Sequence, residues 1–142
     1  MRKRIVMMLA FMLTMWMPIL ADNNRVITFD QLPTQAQAIL KQHFADIVPA
    51  IITKERKEYK VVFQGGEIAE FNKKGKWTEL DCKTSAVPTS LIPEQIRATV
   101  QQTFPGATII KIDRVRKGYE VKLNNRMELK FNKRFNIIEF DD

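Results

Sequence analysis

Apolar positions along the chain follow two periods, first helical and then alternating, and the sequence runs through this order twice. Leu32, Ala36, Ile39, Leu40 and Phe44 recur at helical spacing and make one apolar face. Ile92, Ile96, Val100 and Phe104 do the same further on. Pro33 and Pro93 suit a first helical turn, with Asp30 and Ser90 placed as N-caps. Ala45-Asp46 marks the end of the first helix and Pro105-Gly106 the end of the second. Four strands are predicted after each helix. The first set is 50–57, the alternating Tyr59-Val61-Phe63 stretch, 69–71 and 76–81. The second is 108–117, the Tyr119-Val121-Leu123 stretch, 127–131 and 136–140. Gly65-Gly66 and Asn124-Asn125 are hairpin turns of the kind that tolerate positive φ.

The two halves share residues as well as pattern. Laying 92–141 on 32–81 needs no gap and gives fifteen identities in fifty positions, where chance at ordinary composition gives roughly three. Among them are Pro33/Pro93, Phe44/Phe104, Tyr59/Tyr119, Val61/Val121, Phe71-Asn72-Lys73/Phe131-Asn132-Lys133 and Asp81/Asp141. A sixty-residue period is an internal repeat. The expected organisation is a leader at 1–21, one unit at 22–82, a linker at 83–91 and a second unit at 92–142. A unit of sixty residues buries too little surface to be robust alone. Sharing a core, or joining two sheets edge to edge, stabilises it and hides edge strands. Phe135 stands where the first unit has Gly75, and Arg126 where it has Gly66, so those two tips are expected to be looser or bulged.

The leader has the layout of a secretory signal. Arg2, Lys3 and Arg4 precede an uncharged run from Ile5 to Met17, Pro18 breaks any helix, and Ala21 offers a small residue for cleavage before Asp22. A periplasmic location follows, with no membrane attachment after cleavage. Charge and composition then narrow the chemistry. The whole chain has 23 Lys+Arg against 16 Asp+Glu. Losing the leader removes three basic and no acidic residues and leaves a mild surplus spread along the chain. Nucleic-acid binding, which concentrates basic residues on one face or helix, is not expected. One Cys and one His exclude an intrachain disulfide and a Cys/His zinc site. Cys82 is expected to be buried and inert.

The layout and wording resemble the PepSY-like, β-lactamase-inhibitor-like periplasmic proteins. The resemblance rests on the helix opening 32–37, the strand phrase Tyr59-Lys60-Val61, and the run 68–77 with Leu80-Asp81-Cys82. In the second half it rests on Ile92-Pro93, the run 117–123 and the run 128–133. It implies an α+β fold of two tandem helix-plus-four-stranded antiparallel repeats, whose sheets form one curved surface with the helices on one side. It also implies an exported module that binds through its open sheet face. The family's namesake presents such a face to an enzyme it inhibits, a function that a shared fold does not transfer.

No catalytic constellation is expected. His43 has Thr103 as its repeat mate and no partner evident in the sequence. Glu79, Asp81, Glu139 and Asp141 recur through duplication and read as solvated strand ends, and Asp141-Asp142 is too thin for calcium. No cofactor or metal is expected. If Tyr59, Val61 and Phe63 face the helix, then Lys60, Val62, Ile68 and Glu70 face outward, with Lys122, Glu128 and Lys130 in the second unit. Alternation back from Leu80 puts Trp77 on the same open face, with Ile137 as its mate. An exposed Trp among charges resembles a protein-binding hot spot; the alternative is a core Trp, because a one-residue slip of register turns it to the helices. The expected function is a monomeric, non-enzymatic module for an unidentified protein or peptide of the cell envelope. The alternative is a small-ligand or peptide carrier using a cleft between the repeats.

Overall fold

The computed structural model describes residues 24–142. The expected leader and its cleavage after Ala21 lie outside the described residues. The fold is α+β: two helices and one open antiparallel sheet of nine strands, in which every strand pairs with its neighbours in sequence order. The strands are β1 (Asn24–Val26), β2 (Pro49–Glu55), β3 (Glu58–Phe63), β4 (Ile68–Asn72), β5 (Trp77–Asp81), β6 (Ile109–Val115), β7 (Gly118–Leu123), β8 (Glu128–Asn132) and β9 (Ile137–Asp141). Helix α1 (Thr34–His43) precedes β2, and α2 (Glu94–Thr103) precedes β6. The sheets of the two halves join edge to edge into one, because β5 pairs directly with β6 through Glu79–Asp113, Leu80–Ile112 and Asp81–Lys111. β1 was not expected. It pairs with β2 and covers the edge that β5 covers on β6.

Each helix buries the face its periodicity marked. Leu32, Ala36, Leu40 and Phe44 from the first, and Ile92, Ile96 and Val100 from the second, join one core with Val61, Phe63, Phe71, Leu80, Ile112, Val121, Leu123 and Phe131. Leu80 and Ile112 are direct cross-strand partners, so both halves turn the same sheet face to the helices. Phe44 stacks on Phe63, ring centroids 5.6 Å apart. The other face of the sheet has no helix over it among the described residues.

The helix starts differ from expectation. Asp30 and Ser90 do not cap the helices. They sit inside short 3-10 turns, Phe29–Gln31 and Thr89–Leu91, and the N-cap positions belong to Pro33 and Pro93. The pattern Asp-x-x-Pro placed the caps one turn too early, because the chain makes a separate turn before each proline.

The tips that were expected to loosen keep their shape. Asn72 N–H donates to Lys76 O at 2.8 Å and Gly75 N–H to Asn72 O at 3.0 Å. Asn132 N–H donates to Asn136 O at 2.9 Å and Phe135 N–H to Asn132 O at 3.0 Å. In each turn the asparagine Oδ1 accepts two further amides. Phe135 (φ 66°) and Arg126 (φ 73°) hold the left-handed backbone that Gly75 and Gly66 hold in the first half. For a side-chain-bearing residue this costs about 1–2 kcal/mol. Phe135 recovers part of it by stacking on Tyr119, centroids 5.6 Å apart.

Candidate functional site

The uncovered face is built by the side chains that alternate with the core residues of each strand. Lys60, Glu70, Glu79, Asp113, Glu120, Lys130 and Glu139 are consecutive cross-strand partners from β3 to β9. Beside this row runs a second: Ile51, Val62, Ile68, Asp81, Lys111, Lys122, Glu128 and Asp141, from β2 to β9. Lys60, Val62, Ile68, Glu70, Lys122, Glu128 and Lys130 therefore all lie on the open face. The second row begins with three aliphatic side chains, and Ile51 is 43% exposed.

Trp77 does not lie there. A register shift between Glu70 and Phe71 lets Glu70 face Glu79 while Phe71 faces Trp77, so β5 carries one extra residue, Thr78. Trp77 and Leu80 thus both turn to the helices, and Trp77 is 4% exposed. The same shift in β9 puts Ile137 opposite Phe131, packed against the core. The exposed hot spot assigned to Trp77 and Ile137 is overturned by this single inserted position.

At the middle of the sheet four carboxylates stand side by side on four adjacent strands: Glu70, Glu79, Asp113 and Glu120. Like charges directly opposite one another destabilise a sheet. The one cation between them is Lys111, whose Nζ lies 3.4 Å from Glu79 Oε1 and 3.8 Å from Asp113 Oδ2. Lys60 stands opposite Glu70 and Lys130 opposite Glu120 at the ends of the row, and the central pair Glu79–Asp113 shares Lys111 alone. Burial, reinforced by Glu79, pushes the Asp113 carboxyl up to about 7, against the pull of Lys111. Burial and Glu79 also raise Glu70. Asp113 Oδ1 is occluded and finds no hydrogen-bond donor among the described residues. Asp81 goes the other way: burial raises it, but the Lys83 amide and ammonium outweigh burial and hold its carboxyl low.

The sequence missed Asp113 and Glu120. It also misplaced Glu79, which is a central member of this row and not a solvated strand end. The signal that finds them is the β5–β6 register, which no local pattern specifies. The depression beside the row holds about 80 Å³, well below the few hundred that an organic ligand fills.

The remaining candidates are structural. Cys82 is buried, and burial with Asp81 and Glu67 pushes its thiol up to about 11, so it stays protonated. His43 Nδ1 meets Ser90 Oγ at 3.1 Å, a contact the sequence did not show, and ties the end of α1 to the turn before α2. Among the described residues no group of three His, Cys, Asp or Glu is placed to hold a metal ion. No described helix is long and apolar enough to cross a membrane.

A nine-stranded meander with both helices on one side and a charged, uncovered face on the other defines a class as well as a shape. The chain matches, over residues 10–61 and 57–139, the family described as putative beta-lactamase-inhibitor-like, PepSY-like, and belongs to that family. Among solved structures it is similar to a putative periplasmic protein of the DUF2874 family from Bacteroides vulgatus. Identity is 42% and the TM-score 0.83, covering 86% of this chain and 99% of that one. It is also similar to a putative calcium-regulated periplasmic protein from Bacteroides thetaiotaomicron, at 44% identity and TM-score 0.81, covering 86% and 99%. A second Bacteroides vulgatus periplasmic protein, of unknown function, matches at 33% identity and TM-score 0.78, covering 84% and 99%. A comparison with curated proteins finds no match. The protein is periplasmic, like these relatives.

Proposed function

We propose that the protein is a non-enzymatic periplasmic binding module, built from two copies of a helix-plus-four-strand unit, that holds a protein partner on its open sheet face. One observation carries this reading. The row Glu70–Glu79–Asp113–Glu120 concentrates negative charge on one face of a chain whose overall balance is basic. Natural proteins keep such like-charge pairs where function requires them. The chemistry fits a partner with a basic segment, with its apolar flank resting on Ile51, Val62 and Ile68. Binding displaces the cost of like-charge contact, so attraction is stronger to a cationic surface than a neutral one.

The relative described as calcium-regulated raises a metal as the neutralising charge. The residues present do not fit one. The four acids form a line and not a cage, Lys111 occupies the space between two of them, and calcium asks for six to eight oxygens. We therefore assign the charge of the face to a protein partner.

The test is capture from the envelope fraction of the exporting cell by immobilised residues 22–142, beside Glu79→Gln/Asp113→Asn/Glu120→Gln. Glu94→Gln, on α2, serves as a control for loss of an acid away from the open face. The expected result is a partner held at low salt, released as salt screens the contact, lost with the triple variant and kept with the control. Equal capture by all three forms removes the acidic row from the function.

A further inference from the structure

The other side of the sheet has a polar group that the open-face reading leaves unused. Arg114, on β6, stacks its guanidinium over the Trp77 indole at 3.9 Å from the ring centroid. Its Nε is occluded and has no hydrogen-bond acceptor among the described residues. Arg114 also belongs to none of the ion pairs among them. Its sequence neighbour Asp113 points through the sheet to the opposite face, and Tyr119 on β7 is the titratable group beside it. Burial disfavours its charge. A partly buried guanidinium with no anion is costly, and stacking on an indole offsets only part of that cost. The matching position in the first half, Lys54, lies over Tyr59 at 5.4 Å. The seam position alone combines arginine with tryptophan.

The seam is also where a cleft opens. About 350 Å³ lies between α1 and the two strands, lined by Gln35, Ala38 and Ile39 on the helix and Lys76, Trp77 and Arg114 below. Those six residues include two cations and no acid. The volume is at the small end of organic-ligand sites. With Nε occluded, the two terminal amino groups of the Arg114 guanidinium are the donor pair for a carboxylate. Ala38, Ile39 and the indole edge give such a ligand's body an apolar wall.

We propose that this cleft binds an organic carboxylate with an apolar body, its anion on the Arg114 fork and its carbon skeleton against Trp77, Ala38 and Ile39. Exposed Lys76 adds a second positive charge. The carboxylate is that of a small free acid or the C-terminus of a short peptide. The site lies on the opposite face from the acidic row and does not depend on that reading.

Trp77 reports on the site directly. Trp16 belongs to the leader, so Trp77 is the one tryptophan of residues 22–142. That segment stands as a fold, since the solved relatives, 99% covered, match 86% of this chain. Emission is titrated with hexanoate and with N-acetyl-leucyl-leucine, each against its neutral amide. The expected result is a saturable change with at least one acid, with binding about tenfold or more weaker for the matching amide. Arg114→Gln is expected to lose a similar factor, Arg114→Lys to recover part of it, and Arg134→Gln, in the exposed turn between β8 and β9, to change nothing. Which acid saturates identifies the source of the carboxylate. If Arg114→Gln loses its circular dichroism signature, the acid-against-amide comparison on the unaltered protein decides. Equal responses to acid and amide, or no saturation up to about 10 mM, overturn the proposal.

Discussion

Leu80 and Phe140 occupy matching places in the two halves, yet Leu80 is fully buried and Phe140 is 50% exposed. Both face the helix side, opposite Ala69 and Leu129. The difference comes from the neighbours. β6 lies against β5, whereas β9 has a paired strand on one side only among the described residues. Phe140 instead meets Phe104 edge-on, centroids 6.3 Å apart. Gly75 and Phe135 teach the same lesson at the turns. A Cβ on Gly75 would stand 2.8 Å from Pro33 Cβ at the start of α1, while the Phe135 ring is accommodated, stacked on Tyr119 and packed against the core. Nearly identical sequence elements thus do different work according to what lies beside them.

The largest effect of these surroundings lies in the core. Leu80→Ala is expected to cost about 3 kcal/mol, and Phe140→Ala only ~1 kcal/mol because half the ring is already in water. Urea denaturation measures both, and equal losses would mean that strand position does not set burial. Next come the turns. Gly75→Ala combines φ +88° with a clash against α1 and is expected to cost about 2–3 kcal/mol. Phe135→Gly exchanges backbone strain for a lost ring stack and should stay within about 1 kcal/mol of the parent. Thermal melts separate the two.

Asp113 contrasts the seam with the rest of the sheet. Its folded carboxyl is pushed up from 3.8 to about 7, so the native state keeps a proton that the unfolded chain has released. Stability therefore falls as pH rises through the window between those values and stays low above it. Glu70, also raised, adds in the same direction. After discounting for partial solvation, Asp113→Asn is expected to raise stability at pH 8 by on the order of 2 kcal/mol and to flatten that window. Denaturation midpoints across pH 4–8 check the sign. The smallest effect belongs to Arg126→Gly. It relieves φ 73° in an exposed turn and is expected to gain about 0.5–1 kcal/mol, read as a rise in melting temperature.

What was legible in the sequence was local or periodic. The helical faces from Leu32 to Phe44 and from Ile92 to Val100, the alternation around Val61 and Val121, and the Gly65-Gly66 turn each follow from short-range rules. Trp77 was illegible because Thr78 adds one position between Trp77 and Glu79, and one extra residue reverses every assignment beyond it. The Asn72 and Asn132 side chains that stabilise those turns are visible in the sequence, but the register shift behind them is not. The acidic row was hidden for another reason. Glu79 and Asp113 meet only through the pairing of β5 with β6, across a connection that contains the whole of α2. Arg114 escaped notice because a charged residue in a strand reads as solvent-facing, and here it lies on the ring of Trp77.

The most direct test of the open-face account is photo-crosslinking in the intact periplasm. A photoreactive side chain is placed at Lys60 or Glu120 on the open face, or at the exposed helix positions Gln42 or Gln102. The account predicts a discrete protein adduct from Lys60 and Glu120, abolished by Glu79→Gln/Asp113→Asn, and none from Gln42 or Gln102. Adducts confined to the helix positions, or an open-face adduct indifferent to the acidic row, would contradict it.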